Sequence, residues 1–192
     1  MSGTPFAARY VPMTIRNLEP LLHPRTIAVI GGSDRQGSLG AAILDNLIEG
    51  GFEGLIEAVN LHPIARPGIA CATSVETLAR TPDLAIVATP AATVPGIIGT
   101  LGERGCRVAV VISAGIHDDP ALRQAMLDAA KPHLLRIVGP NCLGVLMPHI
   151  GLNASFAASP AAPGGLALIS QSGALVTPVH YQALLCESSS VD

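Results

Sequence analysis

The stretch Thr26-Ile27-Ala28-Val29-Ile30-Gly31-Gly32-Ser33-Asp34-Arg35-Gln36-Gly37-Ser38-Leu39-Gly40 decides how this chain folds. β-branched and apolar residues run into a glycine-rich loop, and a helical pattern follows at once. Strand, loop and helix start, in that order, build a cradle for phosphate. Glycine lets the backbone turn tightly and approach a ligand, and the first-turn amides of the helix face negative charge.

The same unit recurs along the chain. Short apolar runs stand at Ile27–Ile30, Leu55–Val59, Leu84–Ala88, Val108–Ile112, Leu135–Val138 and Leu166–Ile169. They are rich in Val and Ile and do not alternate with polar residues, as expected of parallel strands buried on both faces. Helical patterns lie between them. Ser38–Glu49 carries one apolar stripe (Leu39, Ile43, Leu44, Leu47, Ile48) and stops at Gly50-Gly51. Val94–Arg104 ends at Gly105, with Thr93 placed to cap it. Pro120–Ala130 follows Asp118-Asp119, the preferred chemistry for a helix start. Ser74–Leu78 reads as one short turn. Alternating β and α elements with tight connections predict a Rossmann-like, doubly wound α/β domain with a parallel sheet over residues 25–150. Residues 1–24 read as an N-terminal arm, 151–165 as a linker rich in Pro, Gly and Ala, and 166–192 as the start of a second, shortened unit.

Composition narrows the function. Of the 192 residues, 49% are hydrophobic and 13% charged, which suits a well-filled core. A net charge of −3 and 3% aromatic residues, with no Trp, argue against a nucleic-acid surface. No apolar run is long enough to span a membrane, and the first twenty residues lack the continuous apolar stretch of a signal peptide. Four scattered cysteines (Cys71, Cys106, Cys142, Cys186) form no metal or disulfide pattern and read as reduced thiols in the cytoplasm.

The expected strand ends gather the candidate binding residues. The first loop offers Gly31, Ser33, Asp34, Arg35, Gln36 and Gly37. Folds that bind NAD place an acid at the end of the second strand, for the ribose. Here that place is taken by Asn60, and Glu57 lies three residues too early. The glycine spacing also departs from G-x-G-x-x-G. Instead, Arg35, His62 and Arg66 make a cationic neighbourhood suited to a ligand with an additional phosphate. Further along, Thr89-Pro90, Ile112-Ser113-Ala114 and Gly139-Pro140-Asn141 form narrow, small-residue exits that converge on one edge of the sheet. An NAD-binding regulatory domain stays open as the alternative.

Several segments together resemble one family. Ala28–Arg35, Asn46-Leu47 with Gly50-Gly51-Phe52, Ala58-Val59-Asn60, Gly139–Gly144, Leu152–Phe156 and Ser170-Gln171-Ser172-Gly173-Ala174-Leu175 stand in the order of the NDP-forming (ADP-forming) acyl-CoA synthetases. These are relatives of the succinyl-CoA synthetase α subunit, and synthetase-like protein acetyltransferases share the region. The resemblance implies coenzyme A or acyl-CoA as the ligand. It assigns the first loop to the nucleotide end of coenzyme A, and Thr89, Pro90, Ile112, Ser113 and Ala114 to its adenine and pantetheine. The family's lysine after the second strand is missing, so His62 or Arg66 would substitute for it.

The resemblance also implies that Ser170, Gln171, Ser172 and Gly173 open a flavodoxin-like second domain and bind phosphate with their amides. Residues 166–192 would hold the first strand and helix of that domain. The family's phosphohistidine loop and ATP-grasp part have no counterpart here. None of His23, His62, His117, His133, His149 and His180 matches the phosphohistidine motif. From Pro178 onward the sequence departs from the family's helix, and Ser188-Ser189-Ser190 ends any helical pattern. The expectation is therefore a coenzyme A-binding module that is inactive as a ligase by itself. The alternative is a subunit completed by a partner domain or chain. Self-association through a cut apolar face is expected as well.

Overall fold

The computed structural model describes residues 16–173, 175, 176, 178 and 179. A one-turn helix, α1 (Glu19–Leu22), leads into β1 (Thr26–Ile30). The order continues α2 (Leu39–Glu49), β2 (Leu55–Val59), β3 (Ala70–Ala72), β4 (Leu84–Val87), α3 (Val94–Glu103), β5 (Val108–Val111), α4 (Pro120–Ala130) and β6 (Arg136–Val138). A hairpin, β7 (Gly144–Met147) and β8 (Leu152–Ser155), closes the series. The main sheet is parallel throughout, in the order β3-β2-β1-β4-β5-β6. The strand order reverses between β1 and β4, the switch point where open α/β sheets bind ligands.

The absence of alternation in the strands now has its reason, because both faces are covered. Ile27 and Val29 of β1 pack with Ile43, Leu44 and Leu47 of α2 and with Leu152 and Ala154 of β8. Ala28 and Ile30 point the other way, toward Val94, Ile98 and Leu101 of α3 and Met126 of α4. The central strands β4 and β5 are buried along their whole length. The alternate residues of each strand thus feed two separate apolar layers.

Local chemistry sets the helix ends. Ser38 caps α2, its hydroxyl accepting from the Ala41 amide at 3.2 Å. At the other end, Gly51 has φ +78°, and the amides of Gly51 and Phe52 return to the carbonyls of Ile48 and Leu47. That is the left-handed glycine stop expected after α2. Asp119 caps α4, accepting from Leu122 at 3.0 Å.

Four expectations need correction. Thr93 does not cap α3: a 3-10 turn over Ala91–Thr93 precedes the helix and holds Thr93 in helical backbone. Its hydroxyl donates instead to the Pro90 carbonyl at 2.8 Å and shares a hydrogen bond with the Thr89 hydroxyl at 2.9 Å. The stretch expected as a linker from 151 begins as β8, which pairs with β7 and is tied to α2 by Asn46. The Asn46 amide donates to the carbonyls of Ser155 and Ala157 at 2.9 and 3.0 Å. Leu166–Ile169, expected as a strand, is in no ladder among the described residues; Leu166 and Ile169 are 86% and 96% exposed. A strand needs a neighbour to satisfy its amides, and the described residues supply none. Within the arm expected to be loose over 1–24, the Asn17 amide donates to the Leu134 carbonyl at 2.8 Å, and Glu19–Leu22 form α1. The expectations placed on residues 1–15, 174, 177 and 180–192 lie outside the described residues.

Candidate functional site

The carboxyl ends of β1 and β2 and the start of α2 enclose a cleft of about 700 Å³. Gly31, Ser33, Asp34, Arg35, Gly37 and Ser38 of the first loop line it, with Leu39 and Gly40 of α2. Asn60, His62, Pro63 and Ile64 line the side beyond β2, and Ala88 the side beyond β4.

The loop takes its shape from close backbone packing. Gly31 has φ +93°, and a Cβ there would stand 2.5 Å from the Ala88 carbonyl oxygen. A Cβ on Gly40 would overlap the Gly31 carbonyl oxygen and lie 2.8 Å from its carbon. Helix α2 therefore begins directly on the end of β1, which brings its N-terminus to the switch point. Among the described residues, the amides of Leu39 and Gly40 make no protein hydrogen bond. They are the unpaired first-turn donors of a helix, open to an anion.

Asn60 holds the far wall. Its amide donates to the Gly32 carbonyl at 2.6 Å, and its Oδ1 accepts from the His62 amide at 3.0 Å. At the position where an NAD site places its ribose acid stands a carboxamide already bonded at both ends. Glu57, the acid within β2, is engaged elsewhere, accepting from the Ala79 amide at 3.0 Å.

The charges divide unequally. Asp34 accepts from the Ala65 amide at 2.6 Å and from Arg66 Nε at 3.3 Å. Arg66 also pairs through Nη1 with Asp45 of α2. The Asp45 hydrogen bond is the main cause holding the Arg66 proton more firmly than usual, with burial opposing it. Arg35 is exposed, and its guanidinium has no hydrogen-bond or ion-pair partner among the described residues. His62 is exposed at the rim.

The other sequence-predicted residues fall in two groups. Thr89, Pro90, Ile112, Ser113, Ala114 and Asn141 sit at neighbouring strand exits but do not line this cleft. Ser113 is buried and joins two of those exits, its hydroxyl donating to the Thr89 carbonyl at 2.6 Å and accepting from the Thr89 amide at 3.2 Å. The Asn141 amide donates to the Ser113 carbonyl at 3.2 Å. Gln36 lies in the loop without lining the cleft. Ser170, Gln171, Ser172 and Gly173 form a separate turn, in which the Ser172 amide donates to the Ser170 hydroxyl at 3.0 Å. None of the four reaches the cleft.

Sequence reading missed Asp45, because nothing local marks a helix carboxylate as the partner of a distant arginine. It also missed Pro63, Ile64 and Ala88, whose apolar character carries no binding signal. Burial pushes the Cys106 thiol up to about 11 and also raises that of Cys142. No group of three metal-ligating side chains and no helix long and apolar enough to cross a membrane is found among the described residues.

Sheet order, switch-point cleft and open helix N-terminus define a Rossmann-like α/β domain of the kind that takes a phosphate-bearing ligand. The chain belongs to the CoA-binding domain family, whose pattern matches residues 25–148. It is 38% identical over 167 residues to the α subunit of acetate–CoA ligase (ADP-forming) I of Pyrococcus furiosus, covering 83% of this chain and 36% of that protein. It is 37% identical to the acetate–CoA ligase (ADP-forming) of Methanocaldococcus jannaschii, covering 84% of this chain and 23% of that one. The dinucleotide-forming acetyl-coenzyme A synthetase 1 of Ca. Korarchaeum cryptofilum, in its apo form, superposes with a TM-score of 0.83 at 32% identity. That match covers 88% of this chain and 37% of the other. The chain thus spans between about a quarter and two fifths of the length of these relatives.

Proposed function

We propose that this chain binds coenzyme A, or its acyl thioester, in the cleft between the first loop and the ends of β1 and β2. The unpaired Arg35 guanidinium beside the open N-terminus of α2 carries this reading. Two kinds of donor stand there for two kinds of phosphate. The Leu39 and Gly40 amides suit a pyrophosphate, which needs close approach to backbone. Arg35 suits a phosphomonoester, which coenzyme A has and NAD lacks. With its two side-chain ends already bonded, Asn60 disfavours a dinucleotide ribose at the same place.

The ligand's adenine and pantetheine would follow the adjoining exits at Thr89-Pro90 and Ile112-Ser113-Ala114. These lie beside the cleft on the same edge of the sheet. Positioning coenzyme A is what this part of the chain contributes. Ligase activity of the acetate–CoA type would need the remainder of the machinery, in a complementing domain or chain, to supply the phosphohistidine and the ATP site. Ser170–Gly173 would then offer amides to a phosphoryl group shared with that partner.

Chemical-shift mapping tests the binding site. Titration of the labelled protein with coenzyme A is expected to move the amides of residues 33–40, 60–62 and 64 first. Shifts confined to the β7–β8 hairpin or to α4, with the loop silent, would refute the assignment.

A further inference from the structure

Arg35 and Arg66 both stand near the cleft, yet the structure holds them in opposite ways. Arg35 lines the cleft and is unpaired among the described residues. Arg66 does not line it. Its side chain is 16% exposed and spans two carboxylates that reach it from different segments, Asp34 in the glycine loop and Asp45 on α2. Asp34 in turn grips the backbone next to Arg66, through the Ala65 amide at 2.6 Å. The β2–β3 connection is therefore tied at one guanidinium to two successive stretches of chain, the glycine loop and α2.

The charge of this cluster decides its role. One guanidinium between two carboxylates leaves a net charge of −1, so the cluster does not attract an anion. An incoming phosphate would have to displace a charge-assisted bond to win Arg66. No such barrier stands before Arg35.

We infer that Arg66 is a positioning residue: with Asp34 and Asp45 it clamps the glycine loop to α2 and to the β2–β3 connection, and it makes no contact of its own with ligand phosphate. Recognition of the phosphomonoester falls to Arg35. The assignment rests on the coenzyme A reading above. It revises the sequence-based expectation that Arg66 is a direct phosphate contact.

The test titrates the full chain with coenzyme A and with dephospho-coenzyme A, which lacks the phosphomonoester. Arg66→Met is expected to weaken both ligands by the same factor, about tenfold for a loosened charge-assisted clamp, leaving their ratio unchanged. Arg35→Met is expected to collapse the ratio. Asp45→Asn, an exposed change on α2 outside the cleft, should reproduce the uniform loss in milder form and serves if Arg66→Met does not fold. A loss in Arg66→Met confined to coenzyme A would make Arg66 a direct ligand and overturn the inference. Unchanged affinity for both ligands would overturn it equally. Hydrogen exchange of the Ala65 amide without ligand tests the clamp by itself. Exchange should speed up in both Arg66→Met and Asp45→Asn, and an unchanged rate refutes the clamp. Failure of the wild-type chain to bind coenzyme A would refute the ligand reading instead, with the exchange result still deciding the clamp.

Discussion

Replacing Gly40 by alanine sets two effects against each other. In a helix the change normally stabilises, by about 1 kcal/mol, through lower backbone entropy in the unfolded chain. Here the new methyl would overlap the Gly31 carbonyl oxygen and stand 2.8 Å from the carbonyl carbon. Both obstacles are backbone, and β1 is fixed by pairing on both sides, to β2 and β4. Helix α2 must therefore shift, which disturbs the packing of its own Ile43, Leu44 and Leu47, each fully buried, against β1 and β8. Overpacking of this kind costs about 3 kcal/mol at the upper end of its usual range. The net expectation is a loss of about 2 kcal/mol, or roughly 4–8 °C in Tm for a chain of this size. Gly99→Ala is the control, because its Cβ would meet Ala129 of α4 at 4.0 Å, an ordinary contact between α3 and α4. That variant should gain about 1 kcal/mol. Urea titration and thermal melting of the two variants read both signs. A Gly40→Ala protein as stable as Gly99→Ala would refute the claim that α2 starts directly on the end of β1. A displaced α2 should also weaken coenzyme A binding, because its first-turn amides form the cradle.

Further outcomes follow from the same structure. Arg35→Ala should weaken coenzyme A by about 1.5–3 kcal/mol in calorimetry, the range for a hydrogen bond to a charged group, with the difference shrinking in added salt. Asn60→Ala frees the Gly32 carbonyl and the His62 amide, and should lower stability by about 1–2 kcal/mol in denaturant titration while loosening the cleft wall. Cys106 gives a pH signature, since its thiol is raised by burial from 9.0 to about 11. The folded state holds that proton more tightly than the unfolded state. Its contribution is therefore complete below pH 9 and falls as pH rises toward 11. The loss is on the order of 2–3 kcal/mol. Stability measured across that window should decline less steeply in Cys106→Ala, and equal slopes would contradict the assignment.

Sequence alone conveyed most of the sheet, because the central strands β1, β4 and β5 are buried on both faces and read as apolar runs. Leu55–Val59 and Pro120–Ala130 coincide with β2 and α4 to the residue. What escaped is short or lacks a local signal. β3 is three residues at the sheet edge, just after Pro67-Gly68, and is too brief to show a period. β7 and β8 stabilise each other as a hairpin over α2, a pairing across space that no single window contains. Leu166–Ile169 shows the converse limit, since its composition suits a strand but strand formation needs a neighbour. At the site, the glycine loop and the missing ribose acid were legible from residue type and spacing. The division of labour between Arg35 and Arg66 was not, because Asp45 is 21 residues from Arg66 in sequence. Only folding brings the two together.

Calorimetric titration of the purified chain with coenzyme A, dephospho-coenzyme A and NAD in parallel tests the central claim most directly. The expected order is tight binding of coenzyme A, weaker binding of dephospho-coenzyme A, and no measurable heat from NAD. NAD binding as strong as coenzyme A binding, or no binding of coenzyme A at all, would contradict the account.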